Sequence, residues 1–227
     1  MTQLPGAAPC VLCLAELSRQ LETGDGKRYT DCARCGLIHL HPAHHPTAEE
    51  ERAHYHTHEN DPGDARYRAF LSRLADPLLT RLDPGAEGLD YGAGPGPTLS
   101  VMLAERGHPT AVYDPLFHPE RGALERSYDF VACSETAEHF HRPREELTRL
   151  RGLLRPGGIL AVMTVMYPGP EPAGADFEVW WYRRDPTHVS FYRPRTFEWI
   201  ARWLGLAAEL PRPNVALLRA PTEPDDS

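Results

Sequence analysis

Residues 88–96, Gly88-Leu89-Asp90-Tyr91-Gly92-Ala93-Gly94-Pro95-Gly96, run from a short apolar stretch through an acidic residue into alternating glycines. Backbone without side chains approaches a bulky ligand closely, and the helix that follows turns its free N–H groups toward it. The pattern predicts a nucleotide-type cofactor loop. A dinucleotide fingerprint wants a small residue at its sixth position, where this chain has Pro97. A phosphate-cradling loop needs Gly-Lys-Ser/Thr, and no lysine is near. Asp90, two residues before the first of these alternating glycines, sets a carboxylate beside the ligand, which suits a cation better than a pyrophosphate.

Four of the five cysteines fall in two pairs, Cys10-Val11-Leu12-Cys13 and Cys32-Ala33-Arg34-Cys35, with eighteen residues between them. Each pair sits on a tight knuckle and presents two thiolates, and the interval allows a hairpin to bring the knuckles together. Cys10, Cys13, Cys32 and Cys35 are therefore expected to ligate one structural Zn2+ in a small ribbon; a four-thiolate iron centre or two disulfides are the alternatives. In residues 1–60 acidic residues outnumber basic ones, so the ribbon is read as structural or as a docking point for a protein partner rather than for nucleic acid. Seven histidines follow (His39, His41, His44, His45, His54, His56 and His58). Imidazole suits zinc, copper and nickel, but Pro42, Pro46 and Glu49-Glu50-Glu51 predict a solvated linker with adventitious metal binding.

The elements that must carry these groups read as α/β units. An amphipathic helix is expected from residue 64 to about 82, with Phe70, Leu71, Leu74, Leu78 and Leu82 on one face and a kink or break at Pro77. Strand one ends at Leu89-Asp90-Tyr91, and a helix spans Thr98 to Arg106 before Gly107. Strand two, Thr110 to Tyr113, stops at Asp114. Further strands are expected at Tyr128–Cys133, Ile159–Val165, Leu206–Leu210 and Val215–Arg219, with helices opening at Pro143 and Pro194. Alternation of this kind predicts a parallel sheet covered on both faces, with the ligand beyond the carboxyl ends of the strands. Asp114, twenty residues past Gly94 at the end of strand two, is placed to accept ribose hydroxyls.

At 227 residues the chain holds one substantial core and a small appendage, read as a ribbon at 1–40, a linker at 41–63, an α/β domain at 64–220 and a disordered acidic tail at 221–227. Its net charge of −8 opposes broad contact with nucleic acid. No apolar run has membrane-spanning length and the N-terminus lacks signal-peptide character, so a cytoplasmic location and no membrane partner are expected.

Asp-x-Gly-x-Gly-x-Gly at 90–96 resembles motif I of the class I S-adenosylmethionine-dependent methyltransferases. Three further segments are similar to bacterial enzymes of that class: Tyr128 to Phe140 with its Glu-Thr-Ala-Glu-His helix start, Leu153-Leu154-Arg155-Pro156-Gly157-Gly158, and Asp185-Pro186-Thr187-His188-Val189-Ser190-Phe191-Tyr192. The nearest comparison is the ubiquinone-pathway type of O-methyltransferase. The resemblance implies a Rossmann-like α/β sheet with an N-terminal zinc ribbon. It implies S-adenosylmethionine held by Asp90, Tyr91, Gly92, Ala93, Gly94, Pro95 and Gly96, by Asp114 and Pro115, and by Ser134 and Glu135. Only fourteen residues separate Asp114 from Asp129, too few for the usual helix and third strand, which leaves adenine to stack on Phe117 or Tyr55.

Methyl transfer from a sulfonium is an in-line displacement governed by positioning. A base is needed only where the acceptor loses a proton, and His139 and His188 are the candidates. Glu135, one turn before His139, is expected to fix its tautomer. Trp180, Trp181, Tyr182, Phe191 and Tyr192 around His188 suggest an acceptor lid. No Asn/Asp-Pro-Pro-Tyr/Phe motif follows the Tyr128 strand and Cys133 has no preceding proline, which disfavours amino methylation of adenine or glutamine and C5 methylation of cytosine; a small-molecule oxygen acceptor leads, with carbon, other nitrogen and macromolecular acceptors open. The rival readings are a binding module whose Rossmann-like domain holds cofactor without catalysis, and an NAD-dependent oxidoreductase opposed by Pro97 and Asp90.

Overall fold

The computed structural model describes residues 9–16, 18–55 and 61–222. His56 and His58 of the linker, and the tail from residue 223, lie outside the described residues.

Two cysteine turns begin the chain. Leu14 N donates to Cys10 O at 2.9 Å and Gly36 N to Cys32 O at 2.8 Å, and Gly36 takes the left-handed conformation such a turn requires (φ +79°). Between and after them run β1 (Ser18–Glu22), β2 (Arg28–Cys32) and β3 (Ile38–Leu40) as an antiparallel meander. The expected linker contains a short 3-10 turn, Pro42–His44, and a two-turn helix α1 (Ala48–Tyr55) whose first turn carries Glu49, Glu50 and Glu51, the favourable end for acidic side chains.

Helix α2 (Ala65–Leu79) is capped by Asp64, which accepts from Arg66 N at 2.7 Å. Pro77 neither breaks nor ends it; it sits in the last turn, within the described helix. Then come β4 (Gly88–Tyr91), α3 (Thr98–Glu105), β5 (Thr110–Tyr113), β6 (Tyr128–Ser134), α4 (Pro143–Gly152) and β7 (Leu154–Met163). The chain closes with α5 (Ala175–Val179), a two-residue β8 (Ser190–Phe191), α6 (Pro194–Leu204), β9 (Ala207–Arg212) and β10 (Val215–Arg219).

The larger sheet has the order β5-β4-β6-β7-β10-β9. Its first four strands are parallel, but β10 pairs antiparallel with both β7 and β9, so the expectation of an all-parallel sheet is corrected at this edge. The reason is local: β9 and β10 are joined by Pro213-Asn214 with no helix between them, and a connection that short only makes a hairpin. Between β5 and β6 the structure has a 3-10 turn, Arg121–Glu125, and no strand, as the short interval required.

Period-two alternation divides the core. Phe130 and Ala132 of β6 and Ile159, Ala161 and Met163 of β7 face α2 and α3 through Leu71, Leu74, Leu78, Leu99 and Leu103. Val131, Cys133, Leu160 and Val162 face the other way, toward Leu147 and Leu150 of α4 and Phe197 and Ile200 of α6. Cys10, Cys13, Cys32 and Cys35 belong to that same cluster. The small sheet, β1-β2-β3-β8, takes its fourth strand from the C-terminal half through Ile38 opposite Phe191. Its own core gathers Tyr29, Ile38, Leu40, Tyr167, Phe177, Tyr182 and Phe191.

Candidate functional site

The glycine loop leaves β4 at the carboxyl end of the sheet. Gly92 and Gly94 have φ of +77° and +66°, conformations that a side chain strains. At Gly92 there is also no room: a Cβ would lie 2.2 Å from Thr136 Cγ2. Thr136 in turn donates from Oγ1 to Gly92 O at 3.1 Å, tying the loop to the residues after β6.

Asp114 organises the opposite wall. Its Oδ1 accepts from Leu116 N and Phe117 N at 2.8 and 3.1 Å, and its Oδ2 accepts from Gly94 N at 2.9 Å. Three of the roughly four lone-pair sites of a carboxylate are used in this way, which leaves capacity at Oδ2 for an incoming hydroxyl. Asp90 lies beneath the loop, 2% exposed, with Oδ2 accepting from Ser100 N at 3.2 Å. Burial, and then the Asp114 charge, push its carboxyl up to about 7 against the single favourable N–H.

A cavity of about 1080 Å³ opens over these residues. Asp90, Tyr91, Gly92, Ala93, Gly94, Pro95, Asp114, Pro115, Ser134, Glu135, His139 and His188 all line it. Gly96 does not; its carbonyl accepts from Thr98 N at 2.7 Å and starts α3 behind the wall. Tyr55 and Phe117, the two candidates for stacking on adenine, are also on the wall.

Another part of the lining is polar, and Glu138 and His188 in it are buried. Glu138 is fully buried, and its Oε1 accepts from Tyr182 Oη at 2.5 Å. The expected partnership of Glu135 with His139 is not what holds the ring: His139 Nδ1 pairs with Thr187 O at 3.0 Å. Glu135 Oε2 instead lies 3.4 Å from Tyr182 Oη, whose one proton goes to Glu138, and its left-handed backbone conformation (φ +47°) turns it away from the helical register assumed for it. Burial first, and the Glu138 charge second, push the Glu135 carboxyl up to about 9. His188 Nδ1 pairs with Tyr182 O at 2.8 Å, and burial holds its imidazole below the usual histidine range. A carbonyl only accepts, so each ring carries a proton on Nδ1, and it is Nε2 that has a lone pair in the neutral tautomer. The rings of His139 and His188 stand 4.9 Å apart.

Several wall residues carry no motif in the sequence. Tyr67 and Phe70 come from α2, and Glu51, His54 and Tyr55 come from α1. Tyr55 packs edge-on against His139 at 5.4 Å, while His54 and Glu51 pair with Asp185 at 3.2 Å and His141 at 2.8 Å. The triplet Glu49-Glu50-Glu51 and the histidine run hinted at a solvated segment; only the contacts across the cavity mouth reveal a wall. Of the aromatic segment, Trp181 and Tyr182 line the cavity, whereas Phe191 and Tyr192 are buried in packing.

The cysteine quartet lies apart from the cavity. Cys10 Sγ and Cys35 Sγ are 3.6 Å apart, Cys13 Sγ and Cys32 Sγ 3.4 Å, and all four sulfurs lie within 4.8 Å of one another with no disulfide among them. Tetrahedral bonds of about 2.3 Å put sulfurs about 3.8 Å apart, so the donor set fits a zinc ion.

An α/β sheet with a parallel core, a glycine loop, an acidic residue closing the next strand and a cavity over them defines a Rossmann-like cofactor-binding class. The particular family follows from comparison. A protein-family model described as a methyltransferase domain matches residues 62–209, well over half of the chain, and the chain belongs to that family. Its class is that of the S-adenosylmethionine-dependent methyltransferases. The fold is similar to that of an O-methyltransferase family protein from Burkholderia thailandensis, with 18% identity and a TM-score of 0.51 over 81% of this chain and 66% of that one. It is similar again to the 1,6-didemethyltoxoflavin-N1-methyltransferase of the same organism, solved with bound 1,6-didemethyltoxoflavin and S-adenosylhomocysteine. There the identity is 16% and the TM-score 0.52, over 89% of this chain and 99% of that one. This chain thus spans just under two thirds of the first protein's length and almost all of the second's. No curated protein matches in sequence. Among the described residues, no helix is long and apolar enough to cross a membrane.

Proposed function

We propose that this protein binds S-adenosylmethionine and transfers its methyl group, by in-line displacement, to an oxygen of a small molecule held in the same cavity. The observation that carries the reading is that one cavity is lined both by Gly92, Gly94 and Asp114 and by Glu138, His139 and His188. A volume of about 1080 Å³ accommodates two ligands side by side. The O-methyltransferase family protein and the 1,6-didemethyltoxoflavin-N1-methyltransferase support the class of reaction without fixing the acceptor.

The glycine loop and Asp90 hold the cofactor's amino-acid end, and the free capacity of Asp114 Oδ2 takes a ribose hydroxyl. The bound cofactor supplies an electrophilic methyl carbon on a sulfonium. Tyr55 and Phe117 are the surfaces for adenine. In the same cavity, His139 and His188 offer Nε2 to the acceptor, and the Tyr182 hydroxyl holds Glu138 in place. Trp181 and Tyr67 also line the cavity. The four-cysteine group holds structural zinc, and the likeness to ubiquinone-pathway enzymes rests on the segments at 128–140 and 185–192. The ribbon also offers a surface for a protein partner.

Calorimetric titration tests the reading. S-adenosylmethionine is expected to bind and NADH not to, and binding of NADH alone would overturn it.

A further inference from the structure

Glu138, His139 and His188 form a second group of metal-ligand type, separate from the cysteines. One donor atom from each lies within 4.8 Å of the other two. Closure onto an ion with bonds of about 2.0–2.2 Å requires side-chain shifts of about 1 Å. Two histidines and one carboxylate around an open side are a ligand set for a divalent transition-metal ion that keeps coordination positions free.

Three independent features favour an ion over a simple hydrogen-bonded cluster. Glu138 is fully buried, yet its Oε2 has no hydrogen-bond partner. A buried carboxylate oxygen left in that state is costly unless a cation or donor completes it. Both imidazoles commit Nδ1 to a backbone carbonyl, Thr187 O or Tyr182 O, which is the outer-shell arrangement that leaves Nε2 free to ligate. The outer shell extends to the carboxylate, because Tyr182 Oη donates to Glu138 Oε1. A second carboxylate stands nearby: Asp185 Oδ2, which also pairs with His54 at 3.2 Å, lies 3.9 Å from His188 Nε2.

We infer that Glu138, His139 and His188 bind a divalent transition-metal ion whose open positions face the acceptor end of the cavity. The acceptor is then a molecule with an oxygen able to ligate that ion, a hydroxyl, enol or carbonyl group. The histidine lone pairs act on this oxygen through the ion rather than directly on its proton. That consequence for the acceptor rests on the methyltransferase reading, whereas the ion binding does not.

The test uses the full chain with its cysteine site loaded with zinc. Co2+ is added under equilibrium dialysis, and the visible spectrum is recorded. The expected result is one further equivalent of cobalt per chain, with ligand-field bands and no thiolate-to-cobalt charge transfer. E138Q, which keeps the Tyr182 hydrogen bond, and H139F are each expected to weaken this uptake at least tenfold. Far-UV circular dichroism and the zinc content report whether each variant is folded. Y182F removes only the outer-shell donor and is expected to weaken uptake by about 10–100-fold. No second equivalent in the wild-type chain, or equal uptake by E138Q and H139F, overturns the proposal. S-adenosylmethionine titrated into the same samples separates the two readings: cobalt uptake without cofactor binding keeps the ion and removes the methyltransferase assignment.

Discussion

Arg193 grips Asp31 with both ends of its guanidinium, Nη1 to Oδ1 at 2.8 Å and Nη2 to Oδ2 at 3.0 Å, with side chains only 3% and 5% exposed. Arg193 Nη1 also donates to Gly36 O at 2.6 Å, and Asp31 Oδ2 accepts from Ala173 N at 2.7 Å. One buried pair thereby joins the second strand of the small sheet, a cysteine turn and the residue that precedes α6.

Removal of one partner leaves the other charge uncompensated. Asp31→Ala is expected to lower the stability of the whole chain by about 3–5 kcal/mol, read from guanidinium unfolding. Asp31→Leu combined with Arg193→Met removes both charges and is expected to cost much less. A double variant as unstable as the single one would show that stranded charge is not the cause.

Because Cys10, Cys13, Cys32 and Cys35 pack in the same cluster as α4 and α6, loss of their ion should be felt throughout the molecule. Purified protein is expected to hold one tightly bound zinc ion at this site. Cys32→Ser is expected to lose it and to unfold at lower temperature in one calorimetric transition. Two separate transitions would mean that the ribbon melts independently.

Gly92→Ala puts a methyl group 2.2 Å from Thr136 Cγ2 in a left-handed backbone conformation. The strain, of order ~1–3 kcal/mol, has to be relieved by moving the loop or Thr136. Cofactor affinity is expected to fall at least tenfold with the helical circular dichroism unchanged. Asp114→Ala is expected to weaken cofactor binding comparably, and wild-type affinity in that variant would end the ribose assignment.

Proton linkage gives signed expectations. Asp90, held at about 7, ionises beside a cationic ligand, so S-adenosylmethionine should bind more tightly at pH 8 than at pH 6 and release a proton on the acid side. Asp90→Asn should flatten that dependence in calorimetry. For Glu135 the folded carboxyl sits near 9 against an ordinary value of 4.5. A raised acid contributes its full stability below pH 4.5 and loses it as the pH climbs through about 9, so the ligand-free protein should weaken along that window. Glu135→Gln should remove this part of the slope.

Much of the cavity wall was legible because each part has a local signature. Glycines announce a loop, the residue that ends strand two falls at a fixed interval, and apolar alternation marks β6 and β7. The placement of α1 was not legible, since its role depends on His54, Glu51 and Tyr55 meeting residues 139, 141 and 185 far along the chain. Helical spacing favours Glu135 over Glu138 as the partner of His139; the left-handed turn at Glu135 breaks that spacing and gives Glu138 the buried position. The antiparallel edge was missed because alternating helices and strands were extended past α6, where only two residues separate the last strands.

β8 has only two residues, and they pair with β3 across about 150 positions of sequence. A chain leaving the ribosome presents its cysteine turns and first three strands early, but the fourth strand emerges only after most of the larger sheet has been made. The N-terminal segment can capture metal during synthesis and must then wait, its β3 edge open, for the C-terminal half to arrive. Assembly of this small sheet is thus a late step that waits for synthesis to reach β8.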